Sequence, residues 1–237
     1  MPKPPRPWTV VRHRPLERLE ENLHVVEGDV PGIDGFRRRM TITRRSGGGL
    51  LFFNAVPVDD ATLDRIRALG KPEILLVPHH LHVLDAHAFR EKLGLQVYAP
   101  ARGRALVAER VPVDGTFEEL PEDPTLKVLT VAGFKTGEGL LVVRSGEHTS
   151  LVVADVVTNV PDGPGLKGFI ARTIGFTADR PILPSLVRLR VLRDRPALRA
   201  QLEELSRTPG LTRIVPTHGD VVERDPAGAL RAIAATI

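Results

Sequence analysis

The sequence runs to 237 residues, 42% of them hydrophobic and 26% charged, which is enough for one large domain with a sizeable buried core. It contains no cysteine, so disulfides and thiolate metal sites are excluded and any metal must be held by imidazole and carboxylate. No apolar run reaches the roughly 18 residues of a membrane span, and the formal charge of +4 comes from scattered arginines with few aromatic neighbours, which argues against a nucleic-acid surface.

Residues 1–20 read as a proline-rich arm preceding a domain over 21–237. The opening "MPKPPRPWTVVRHRP" lacks the apolar centre and small-residue cleavage site of a secretory leader, so a cytoplasmic protein is expected. Three strands follow, "NLHVVEGDV", "RMTITRR" and "GGLLFFNAV", with the turn "RSGGG" between the last two. Two arginine clusters, at 36–45 and 188–199, read as solvated faces of a strand and of a helix with its flank. A helix is predicted in "DDATLDRIRALGK", capped by Asp59 or Asp60, with Leu63, Ile66 and Leu69 at helical spacing and Gly70 as its stop. "EILLVP" is then a short, continuously apolar strand of the kind covered on both faces. "AHAFREKLG" is helical, "LQVYAP" is a strand and "RGRALVAER" is another helix, a βαβ series whose functional groups gather where strands end in loops.

The second half returns to strands, "TLKVLTVAG", "EGLLVVRSG" and "HTSLVVADVV". Glycines and prolines in the next stretch, 163–194, break two helices. "PALRAQLEELSR" is helical, "LTRIVPTHGD" is a strand ending in histidine, and "DPAGALRAIAATI" is a last helix with Asp225 as cap and Pro226 at its first position. Strands then helices in each half point to two sheets packed face to face with helices outside.

Chemistry concentrates at strand ends. The stretch "VPHHLHVLDAHAF" holds four of the eight histidines, His79, His80, His82 and His87, around Asp85. Read as extended chain, i and i+2 point the same way, so His80 and His82 can share one ion; read blandly, the cluster is a polar turn. Phe134 and Lys135, Asp155, and His218 end three further strands. His13, His24 and His148 receive no role.

"ILLVPHHLH", "SLVVADVV" and "VPTHGD", in this order, resemble the metallo-β-lactamase superfamily from about Asn22 onward. More closely, "RRMTITRRSGGGLLFFNAVPV", "VYAPAR" and "HTSLVVADVVTN" look like a branch of it known as a domain of unknown function. The resemblance implies an α/β fold, a four-layer αββα sandwich with metals at one sheet edge. Its H-x-H-x-D-H motif laid on "HLHVLD" matches His80 and His82 but places Leu84 and Asp85 where aspartate and histidine belong. Phe134 stands at the family's third histidine, and Asn54 where an aspartate is frequent. Asp155 matches the bridging aspartate and His218 the final histidine.

By this resemblance His80, His82, Asp155 and His218 supply enough nitrogen and oxygen ligands for one zinc, iron or manganese ion, too few for a full pair. Asp85 or His87 could stand in for a missing ligand, and His79 replaces His80 if the register shifts by one. The implied protein binds metal and hydrolyses an ester, amide or phosphoester, with Asp85 or Asp220 taking the proton. Lys135 would pair with an anionic small-molecule substrate, under a roof of broken helices over 165–195. The competing expectation is a degenerate, non-catalytic relative that binds a small molecule or a protein. The oligomeric state is left open.

Overall fold

The computed structural model describes residues 5–161 and 179–237, which fall into two compact units, Met1–Val128 and Leu129–Ile237. In the first, seven strands pair in chain order: β1 (Glu17–Glu20), β2 (Leu23–Asp29), β3 (Arg37–Arg44), β4 (Gly49–Phe53), β5 (Lys71–Leu76), β6 (Gln96–Ala99) and β7 (Gly115–Thr116). β1 to β4 run antiparallel, and β4 to β7 run parallel. Parallel neighbours need crossovers, which α1 (Asp60–Arg67), α2 (Ala86–Leu93) and α3 (Arg104–Ala108) supply.

The local reasons are legible. The Asp59 carboxylate accepts from Thr62 N at 2.7 Å, starting α1, whose Leu63 and Ile66 are buried. Gly94, in the left-handed conformation at φ 66°, ends α2. All five residues of β4 are buried; Phe52 and Phe53 each contribute about 1.5–3 kcal/mol of hydrophobic stabilisation. Residues 5–20, expected as an arm, lie against this unit. Trp8 donates to Val58 O at 3.2 Å and packs on Phe89, and β1 extends the sheet.

One expectation is overturned on β3. Arg38 and Arg39 are buried, not solvated, because each meets a carboxylate: Arg38 the Asp85 side chain, and Arg39 the side chain of Glu27, its cross-strand partner on β2, at 3.6 Å.

The second sheet has four strands in the order β11, β10, β9, β8: β8 (Leu126–Thr130), β9 (Gly139–Ser145), β10 (His148–Val153) and β11 (Leu211–Pro216). β9 and β10 form an antiparallel hairpin, and β11 joins β10 in parallel after a long crossover. Along that crossover lie α4 (Ser185–Arg190) and α5 (Arg195–Leu205); α6 (Pro226–Ala234) follows β11. Asp194 caps α5 through Ala197 N at 3.0 Å, and Asp225 caps α6 through Gly228 N at 2.8 Å, with proline within the first two helical positions of both, Pro196 and Pro226. Leu198, Leu202, Leu230 and Ile233 carry their buried faces. Residues 163–178 of the stretch expected to hold two broken helices, and with them residues 165–178 of the expected roof, lie outside the described residues. Among the described residues no helix is long and apolar enough to cross a membrane.

Candidate metal centre

The histidine cluster begins where β5 ends. Its backbone is not extended: His80–His82 is a turn of 3-10 helix with His79 at its N-cap. Three residues per turn place i and i+3 on one side, so the geometry pairs His79 with His82 and turns His80 away. Ring centroids are 4.8 Å apart for His79 and His82, against 5.4 Å for His79 and His80. His79 and His82 are both buried. Burial, then the neighbouring His79, holds the His80 imidazole below the usual histidine range, so it is neutral at pH 7.

His79 Nδ1 accepts from Leu81 N at 3.1 Å, capping the turn. That bond competes with metal. Ligation through Nδ1 takes its lone pair, and ligation of neutral imidazole through Nε2 moves the proton to Nδ1; either releases the Leu81 N–H. Asp85 closes the loop. It is 1% exposed and its carboxylate is held by Arg38 and, at 3.8 Å, by Arg6. The expectation that Asp85 accepts a proton or replaces a ligand thus meets a carboxylate already committed to guanidinium. His87, half-buried, is the second residue of α2. Asn54, one residue past β4, is buried with φ 67°, a conformation asparagine tolerates, and its Nδ2 donates to Arg39 O at 3.0 Å.

The second unit brings together Asp155 and His218. Val153 and Pro216 are register partners at the ends of parallel β10 and β11, so residues two positions further along fall side by side. Asp155 Oδ1 lies 3.7 Å from His218 Nε2. Two ligand atoms on a tetrahedral zinc, at bonds of about 2.0–2.1 Å, would be about 3.3 Å apart, so this pair is spaced to share an ion with little adjustment. The loop is laced in place: Thr217 N donates to Val153 O at 2.9 Å, Asn159 N to His218 O at 3.1 Å and Asp220 N to Asn159 O at 2.8 Å. Gly219, at φ 90°, permits this approach; a Cβ there would fall 2.1 Å from Asn159 O. The Asp220 and Lys135 side chains are exposed, while Phe134 is 1% exposed in the core of this unit.

Two residues here escaped the sequence reading. Arg38 was hidden in a basic run, and only its alternation with Arg37 and Arg39 along a strand hinted that it could face inward. Glu138 reads as an ordinary strand start, yet it is fully buried and its Oε1 accepts from Val156 N at 2.8 Å, next to Asp155. A lone carboxylate abutting the apolar run "LLVV" was the available signal.

The sequence matches no family model and no curated protein. Solved structures do match across nearly the whole chain. The DIM-1 metallo-beta-lactamase exposed to ceftazidime is 14% identical with a TM-score of 0.64, over 96% of this chain and 98% of that one. The chain has the metallo-β-lactamase fold. A metallo-beta-lactamase from Pontibacter korlensis gives 13% identity and a TM-score of 0.62 over 94% and 99% of the two chains. FIM-1 from Pseudomonas aeruginosa, in its mono-zinc form, gives 12% and 0.61 over 96% of each. The expected fold class is therefore the observed one. In this chain histidine or aspartate side chains follow β5, β10 and β11, and a buried phenylalanine follows β8.

Proposed function

We propose that the chain binds one metal ion through His79, His82 and Asp155, with His218 as a fourth donor, and hydrolyses an ester, amide or phosphoester. The observation that carries this reading is the donor set: two imidazoles and a carboxylate, each offering one ligand atom of a kind that holds a metal. In a chain without cysteine that set suits zinc, iron or manganese. His79 takes the place given to His80 in the sequence reading, because the 3-10 turn aligns it with His82. A metal ion held there would supply Lewis acidity, the means of activating water near neutral pH. In this reading Asp220, two residues after His218, takes the proton, and Lys135 pairs with an anionic substrate. Asp85 holds the histidine turn through Arg38. The setting we infer is the cytoplasm.

A second reading has its own support. Phe134 fills core volume where the resemblance places a histidine, and His79 already caps Leu81 N, as in a fold that has lost its metal and binds a small molecule or a protein instead. Elemental analysis of protein purified without added metal separates the two. The first predicts near-stoichiometric zinc, iron or manganese, lost in His82→Ala and Asp155→Asn. A metal-free protein whose melting temperature ignores added zinc would favour the second, since a ligand bound to the native state must raise it.

A further inference from the structure

At the other end of β3 and β4 from Asn54, the first unit holds a cavity of about 230 Å³. Its walls come from β1, β2, β3, β4 and the chain just after α1: Arg18, His24, Arg44 and Glu21 around the mouth, Ile42, Leu50 and Leu69 beneath. The strand register builds it, with Arg18 opposite His24, His24 opposite Ile42, and Arg44 opposite Leu50.

Three features point to an occupant. First, His24 is 8% exposed and lines the cavity, yet its ring makes no hydrogen bond among the described residues. Its ring nitrogens are not among the buried atoms that lack a partner, so they are open to solvent and available to a molecule that enters the cavity. Second, the local field is positive. Two guanidiniums face one carboxylate, and burial together with Arg18 and Arg44 holds the His24 imidazole below its usual range, so it stays neutral at pH 7. Third, the Arg44–Glu21 ion pair at the mouth, at 3.3 Å, is exposed; such pairs contribute little and re-partner readily.

We propose that this cavity binds a small organic monocarboxylate, its carboxylate held by Arg18 and Arg44 and hydrogen-bonded to His24, its carbon body on Ile42, Leu50 and Leu69. An excess of a single positive charge matches a monoanion, and Glu21 disfavours a dianion. The apolar floor requires carbon that inorganic phosphate lacks. The volume equals about eight waters at about 30 Å³ each, room for a single ring bearing a carboxyl group.

Benzoate, its neutral isostere benzamide and inorganic phosphate test this on the full-length protein, read by the His24 ring proton resonance and by melting temperature. Benzoate is expected to shift the His24 signal saturably and raise the melting temperature, with benzamide about tenfold weaker or more, as loss of a charge-assisted bond requires. Arg18→Gln and Arg44→Gln each weaken benzoate about tenfold, and Leu69→Trp, which fills the cavity without touching the charges, abolishes the shift. Equal binding of benzoate and benzamide, tighter binding of phosphate, indifference to both arginine substitutions, or no saturable shift would each overturn the assignment. None of these readouts involves the histidine turn or Asp155.

Discussion

The loop after β5 and the loops after β10 and β11 carry the same kinds of donor but are held by different means. The first is fixed by side chains: His79 caps its own turn, and Asp85 is clamped by Arg38 on β3. The second is held by backbone: parallel register, the Asn159 ladder and Gly219 place Asp155 beside His218. A donor recruited into the scaffold, as His79 Nδ1 is by Leu81 N, must be released before it can ligate. In the proposed site, freeing His79 from Leu81 N is therefore a cost of metal binding carried by the first loop.

The largest effect that breaks this comparison lies in the first loop. Arg38→Met leaves the Asp85 carboxylate buried without its main partner and should lower stability by about 3–5 kcal/mol in urea denaturation. Adding Asp85→Leu should restore much of that loss, because the uncompensated charge goes with it. A double variant no more stable than Arg38→Met would deny the clamp.

The second loop should respond more mildly. Glu138→Ala strands Val156 N–H, at a cost of about 1–3 kcal/mol, while Glu138→Gln retains an acceptor and should cost less. Equal losses for the two would place the effect of Glu138 in its charge and not in this bond.

Sequence reading went far where local chemistry decides. The Asp59 cap, the Asp225–Pro226 helix start and the all-apolar β4 are each written in a few adjacent residues and stand as expected. The ends of β10 and β11 were also legible, since a strand pattern states where it stops. What did not follow was conformation set by tertiary partners. "HHLH" carries no mark that distinguishes a 3-10 turn from an extended segment, so the choice of His79 over His80 needed the fold. Burial of Arg38 depended on a carboxylate 47 residues away, and no periodicity encodes such a pairing.

The smallest expected effect concerns pH. The His24 pKa is lowered in the native state by burial and by Arg18 and Arg44, so the unfolded chain binds the proton more readily. Stability then falls as pH drops below the unfolded value of about 6.5 and levels off below the native one. His24→Gln should flatten that part of the pH–stability curve, and an unchanged slope would show that the imidazole is not masked.

Zinc titration by isothermal calorimetry on the metal-stripped, full-length protein bears most directly on the claim that the two loops serve one ion. One equivalent should bind, and His82→Ala in the first loop and Asp155→Asn in the second should each abolish it. Zinc binding that survives either substitution while the other removes it would contradict a shared centre.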